Sequence, residues 1–169
     1  GVLKNSIRSL TKDFLEEQLV DKWFFIRYAD PDVHIRVRFH GTQPMFYAEV
    51  LRRLNLELEE LLTAGLISKV QVDTYDRELE RYGGDMIHLS ENFFFYDSEA
   101  VLDFLEFIDT DEDEKYRWIF AMRGVDMLLN DFHYSLDKKI EFTKHMSKTF
   151  LLEFTSQKGV EKQINDRYR

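Results

Sequence analysis

The chain has 169 residues, 44% of them hydrophobic and 15% aromatic, with a formal net charge of −9, so it has the length and apolar content of one ordered globular domain rather than a disordered segment. It contains no cysteine, which excludes disulfides, thiolate zinc sites and a cysteine nucleophile and fits a reducing, cytoplasmic setting. No apolar run approaches 18 residues, no signal-peptide core is present, and the acidic balance argues against a nucleic-acid-coating surface. Because it opens at Gly1, the chain is expected to be a processed or excised piece of something longer.

In residues 6–19, Ile7, Leu10, Phe14 and Leu15 are spaced like one helical face. "KWFFIRYAD" (22–30) follows, rich in aromatic and β-branched residues, and reads as a strand. Asp30-Pro31-Asp32 is a turn, since proline fixes φ and aspartate tolerates turn geometry. "VHIRVRFH" (33–40) alternates Val33, Ile35, Val37 and Phe39 with His34, Arg36, Arg38 and His40. A strand of period two sends those two sets to opposite faces, so 22–40 is predicted to be an antiparallel hairpin with one basic face. Thr42 and Pro44 mark a helix start, Gly65 its end, and Tyr47, Val50, Leu51, Leu54, Leu58, Leu61 and Leu62 its buried stripe.

Residues 66–76 are predicted to be a third strand, with Val70, Val72 and Thr74 facing one way and Gln71, Asp73, Tyr75 and Arg77 the other. The charged segment "DRELERYGG" closes on Gly83-Gly84. "HLSENFFFYDSEAVLDFLEFI" (88–108) reads as a short linker and then a helix capped near Asp97 or Ser98, and Phe93 to Tyr96 reads as core. The acidic run at 111–114 suits the start of a helix reaching about Asn130, and another helix spans Ser135 to about Phe154. The fold class is therefore α+β: a small antiparallel sheet (hairpin 22–40 plus strand 66–76) packed with helices, and a helical C-terminal half.

Arginine presents a planar fork of donors matched to carboxylate or phosphate, so His34, Arg36 and Arg38, with Arg27 on the partner strand, form a candidate anion site. The alternative is a solvated outer face whose arginines pair with surface acids. Were the three strands one sheet, Arg77 would join the same face, with Glu78 and Glu80 as its structural partners. Among the five histidines His34 is singled out because it shares the basic face with the arginines, where a proton shuttle near neutral pH is available to it. His133 and His145 read as surface or helix-packing residues, no tight metal-ligand spacing occurs, and no serine sits in a G-x-S-x-G elbow. No metal or cofactor is called for.

"WFFIRYADPDVHIRVRFHG", followed by "DTYDRELERYGG" and then "FFFYDSEAVLDFL", resembles the C-terminal domain of class I lantibiotic dehydratases, a domain that also occurs alone in thiopeptide-type bacteriocin biosynthesis. The resemblance spans roughly residues 20–135 in order and spacing. It implies elimination of glutamate from glutamylated Ser or Thr of a ribosomally made precursor peptide, leaving dehydroalanine or dehydrobutyrine. A stand-alone cycloaddition branch and a non-catalytic peptide-binding scaffold are the alternatives. The implied partners are the glutamylated peptide, the glutamylation domain of the dehydratase, glutamyl-tRNA only through that domain, and a cyclase as a further candidate. By motif match the catalytic set is Arg36 and Arg77, joined by His34, and the substrate-binding set is Arg38, Arg81, Arg27 and Tyr75. The family carries a later His-Met-x-x-Asn-Arg motif, whereas here His145-Met146 is followed by Ser147-Lys148-Thr149, and the ending "INDRYR" resembles a mid-domain segment. Residues 1–169 are thus expected to be one domain, an elimination domain incomplete at its C-terminus.

Overall fold

The computed structural model describes residues 1–30, 32–108 and 114–154, so Pro31, most of the acidic run at 111–114 and the final segment lie outside the described residues. Two compact units are present, Gly1–Asp109 and Thr110–Arg169. The first begins with a π-helical turn (Leu3–Ile7) leading into α1 (Arg8–Glu16), then β1 (Lys22–Tyr28), β2 (His34–His40), α2 (Phe46–Thr63), the single turn α3 (Leu79–Tyr82) and α4 (Ile87–Phe107). The second holds α5 (Glu114–Asp131) and α6 (Leu136–Phe154). The α+β class expected from sequence is the observed one. No helix among the described residues is long and apolar enough to cross a membrane.

β1 and β2 pair antiparallel in a register running from Lys22 opposite His40 to Tyr28 opposite His34. Directly opposed residues share a face, so Trp23, Phe25, Phe39 and Val37 line one side of the hairpin. That side meets Ile7 and Leu102, and Phe39 also reaches a neighbouring cluster of Leu10, Phe14, Val20 and Val50. Trp23, Phe14 and Leu102 are fully buried there, each removing apolar surface worth about 2–3 kcal/mol.

An ion network centred on the buried Arg8 fastens α1 to α4, and nothing in the sequence periodicity announces it. Arg8 is only 6% exposed. Its guanidinium meets Glu99 at 2.7 Å, pairs with Asp103, and lies 3.4 Å from Glu106. Trp23 Nε1 donates to the other oxygen of Glu99 at 2.7 Å. Burial alone would lower the Arg8 pKa, but the hydrogen bond and charge of Glu99, with Asp103 and Glu106, raise it.

Five sequence expectations are corrected in whole or in part. The helix predicted from Thr42 begins at Phe46, behind Met45 in the left-handed region (φ 66°). The chain passes so close at Gly41 that a Cβ there would lie 2.4 Å from the ring of Phe46, the first residue of the helix. Its end agrees with expectation: Gly65 takes φ +69° and the Leu66 amide returns to the Leu61 carbonyl at 2.9 Å. Of the predicted stripe, Val50 and Leu58 are buried, while Tyr47 is 51% exposed.

The third strand, 66–76, does not form. Val70 and Val72 are exposed, and among the described residues no backbone–backbone hydrogen bond involves 68–76. Strand preference reflects a paired edge and a covered face, and this stretch has neither. Nor does a helix start at Asp97 or Ser98: α4 is continuous, and Ser98, 2% exposed at mid-helix, accepts the Phe25 amide of β1 at 3.2 Å instead of capping. Burial pushes the Asp97 carboxyl up. Finally, Phe93 and Tyr96 are exposed rather than core, because consecutive helical positions point about 100° apart, whereas Phe94 and Phe95 are half-buried.

In the second unit, the helix expected from Ser135 begins at Leu136, with the Ser135 hydroxyl oxygen accepting the Lys138 amide at 3.4 Å. Lys139 ties the helices together, with Nζ pairing with the Asp126 carboxylate and donating to Asn130 Oδ1 at 2.7 Å.

Candidate anion-binding site

The register settles which basic groups stand together. His34, Arg36, Arg38 and His40 of β2 oppose Tyr28, Ile26, Phe24 and Lys22 of β1, all on the face away from the Trp23 side. Arg27 opposes Ile35 and so points to the other face, which corrects its place in the predicted set. Once the register sets Phe24 and Tyr28 opposite Arg38 and His34, period two sends Arg27, an odd number of residues from each, to the other side.

The basic face is walled by aromatics. Phe24 packs against Phe94 of α4 at 5.3 Å and edge-on to Tyr75 at 5.6 Å, and Tyr82 of α3 adds a contact to Phe94 at 5.5 Å. Arg38 lies between two of these rings, its guanidinium carbon 4.8 Å from the Tyr75 centroid and 5.4 Å from that of Phe24. Its Nη1 is buried and has no hydrogen-bond partner among the described residues. Arg36 covers the Tyr28 ring at 4.2 Å and donates from Nε to His34 Nε2 at 3.2 Å. Neither Arg36 nor Arg38 has a carboxylate within ion-pair distance among the described residues.

Arg77 differs. Both its Nε and Nη2 donate to Glu91, each at 2.8 Å, a bidentate fork closed on a carboxylate that is itself mostly buried. The Glu91 hydrogen bond raises the Arg77 pKa. Glu78 and Glu80 had been the expected partners; Glu78 instead takes Arg81, at 3.2 Å. Glu91, fourteen residues away on α4, carried no sequence signal. Tyr75 is held between these charges. Burial, then the charge of Glu91, pushes its hydroxyl pKa up, while Arg38 and Arg77 pull the other way, so it remains a neutral donor.

His34 stacks on Tyr28 with centroids 5.2 Å apart and planes 8° from parallel. Its Nδ1 lies 2.8 Å from the Asp32 carbonyl oxygen. A carbonyl only accepts and Arg36 Nε only donates, so one neutral tautomer satisfies both bonds: Nδ1 carries the hydrogen and Nε2 accepts. His40, by contrast, turns to Asp21 at 2.5 Å and leaves the arginines.

The structure thus gathers His34, Arg36, Arg38 and Tyr75, places Arg77 and Arg81 beside them on acidic partners, and sends Arg27 elsewhere. Chemically it offers guanidinium donors without carboxylate partners on an aromatic-walled surface, an arrangement suited to a carboxylate-bearing ligand.

Comparison with known proteins places the chain in a family. The chain is 31% identical over 134 residues to the subtilin biosynthesis protein SpaB of Bacillus subtilis, covering 79% of this chain and 13% of that protein. It is 31% identical over 149 residues to the nisin biosynthesis protein NisB of Lactococcus lactis subsp. lactis, covering 85% of this chain and 14% of that one. The crystal structure of the tRNA-dependent lantibiotic dehydratase MibB from Microbispora sp. 107891 superposes with a TM-score of 0.55 at 34% identity, over 62% of this chain and 10% of that one. The chain therefore spans about one seventh of the length of the curated relatives it matches. The profile described as lantibiotic biosynthesis dehydratase, C-terminal, matches residues 1–169, and the chain belongs to that family.

Proposed function

We propose that the β2 face binds the glutamyl group of a glutamylated Ser or Thr in a lantibiotic-type precursor peptide and supports its elimination. The observation that carries this reading is the buried Arg38 Nη1, without a hydrogen-bond partner among the described residues, beside an Arg36 that has no acidic partner there either. Leaving the buried Arg38 Nη1 without an acceptor is costly unless an anion completes it, and the Arg36 fork beside it is exposed and open to the same ligand. In the reaction a base removes the α-proton, the Cα–Cβ double bond forms, the Cβ–O bond breaks, and glutamate departs with its new carboxylate. Arg36 and Arg38 would hold the carboxylates of the leaving glutamate, Tyr75 would donate its hydroxyl hydrogen, and Arg77, fixed by Glu91, would shape the wall. The glutamylated peptide would come from the glutamylation part of a dehydratase, which alone would meet glutamyl-tRNA, and the product would pass to a cyclase.

Incubation with an O-glutamyl-seryl peptide, followed by mass spectrometry, tests this. Release of glutamate with loss of the ester is expected, and Arg38→Ala should slow it at least about a hundredfold, the usual scale for a lost charged donor. Unchanged turnover in that variant would refute the assignment. One observation favours a second reading, binding without turnover: both ring nitrogens of His34 are already engaged, so the group expected to move the proton is not poised to do so. Peptide affinity that falls in Arg36→Ala and Arg38→Ala, with no glutamate released by any form, would establish the second reading over the first.

A further inference from the structure

We infer that His34 is a positioning residue that holds the Arg36 fork for an anion, rather than the group that takes the substrate proton. This rests on the binding role proposed for the β2 face and adds what organises it. Arg36 is exposed, and a long exposed guanidinium samples many rotamers unless something holds it. Two contacts do so: its carbon lies 4.2 Å over Tyr28, and its Nε donates to His34 Nε2 at 3.2 Å. His34 is fixed in turn by stacking on the same Tyr28 ring and by its Nδ1–H on the Asp32 carbonyl. With Nε engaged on His34, the two Nη groups are left for a carboxylate, and they are held at one orientation.

The same two hydrogen bonds remove His34 from consideration as a base. A base needs an available lone pair facing the substrate proton, and the Nε2 lone pair already points at Arg36. Protonation of the ring would turn Nε2 into a donor facing a donor and break the contact. The charged and titratable residues in contact with it are Arg36 beside it, Tyr28 beneath it, and Asp32, whose backbone carbonyl it meets.

Two substitutions separate acceptor from ring. His34→Phe keeps a ring to stack on Tyr28 and removes the acceptor; His34→Gln supplies an acceptor oxygen and cannot serve as a base. On the 169-residue chain, nitrogen-detected NMR of the Arg36 Nε–H and titration with an O-glutamyl-seryl peptide are the two readouts. The unaltered protein should show an Arg36 Nε–H resonance that shifts as the His34 ring titrates. His34→Phe should broaden that resonance and weaken peptide binding about tenfold, while His34→Gln keeps the affinity within about threefold, the scale of one lost or kept hydrogen bond. An Arg36 resonance indifferent to His34 titration, or equal binding in all three forms, overturns the inference and leaves the anion site standing. So does a loss of glutamate release in His34→Gln with binding intact, since that outcome makes His34 the base. Absence of peptide binding in the unaltered protein overturns the anion-site reading, and the inference falls with it.

Discussion

Arg38 and Arg77 are the same residue type with opposite surroundings, and the difference lies in a residue neither strand supplies. Glu91, on α4, closes the Arg77 fork at two 2.8 Å contacts, while Arg38 is flanked by rings and offers Nη1 to no protein acceptor among the described residues. The family resemblance put Arg77 in the catalytic set and Arg38 in the substrate-binding set; the geometry gives Arg38 and Arg36 the open donors. Arg8 is the other arginine that the fold depends on. Its side chain is 7% exposed against three carboxylates. Replacing it with methionine should cost about 3 kcal/mol, because the acids are left facing one another and the tryptophan-bonded Glu99 has lost its cation. Urea denaturation measures this. Lys12→Ala, which breaks only an exposed pair with Glu106, should cost less than about 1 kcal/mol by the same method.

At the scale of elements, α2 shows what was readable and what was not. Its C-terminus was legible because a left-handed residue after the last turn calls for glycine, and Gly65 takes φ +69°. Gly65→Ala should cost about 1 kcal/mol through that backbone strain, read as a lowered urea midpoint with the slope unchanged. Nothing lies within 4 Å of a Cβ added there, so crowding would not account for the loss. The contact of α2 with α1 was not legible. Arg53 donates to Glu49 on its own helix and to Glu17 just past the end of α1. The Arg52 hydrogen bond first, then that of Arg53, lowers the Glu49 carboxyl from 4.5 to about 2, and Arg53 lowers Glu17 as well. A carboxyl whose folded pKa is depressed contributes stability above its unfolded pKa and loses it as pH falls through the folded one. Stability should therefore decline between pH 4.5 and about 2, and Arg53→Ala should flatten that acid limb in urea titrations at stepped pH.

For the whole molecule, a net charge of −9 surrounds a local patch of arginines. Open guanidinium groups on an exposed face attract an anionic peptide over a distance set by salt, a Debye length of about 10 Å at 0.1 M and about 3 Å at 1 M. Affinity for an O-glutamyl peptide should thus fall several-fold, on the order of fivefold, between those ionic strengths. Isothermal titration across that range tests it, and a salt-independent affinity would point to contacts carried by the aromatic walls instead. Family membership extends over residues 1–169, but the chain corresponds to about one seventh of its curated relatives.

Alternation in "VHIRVRFH" by itself determined that β2 has a basic face, because side chains of a strand must alternate whatever the rest of the chain does. Local chemistry likewise determined the hairpin, the end of α2 at Gly65 and the helix beginning near Ser135, each a matter of a few neighbouring residues. What only the tertiary structure decided were the long-range pairings: Arg27 on the wrong face by register with Ile35, Arg77 taken by Glu91, Arg8 buried among the acids of α4, and 66–76 left without a strand partner. An ion pair or a strand needs a partner that can lie anywhere in the chain, and spacing along the sequence carries no record of which distant residue arrives.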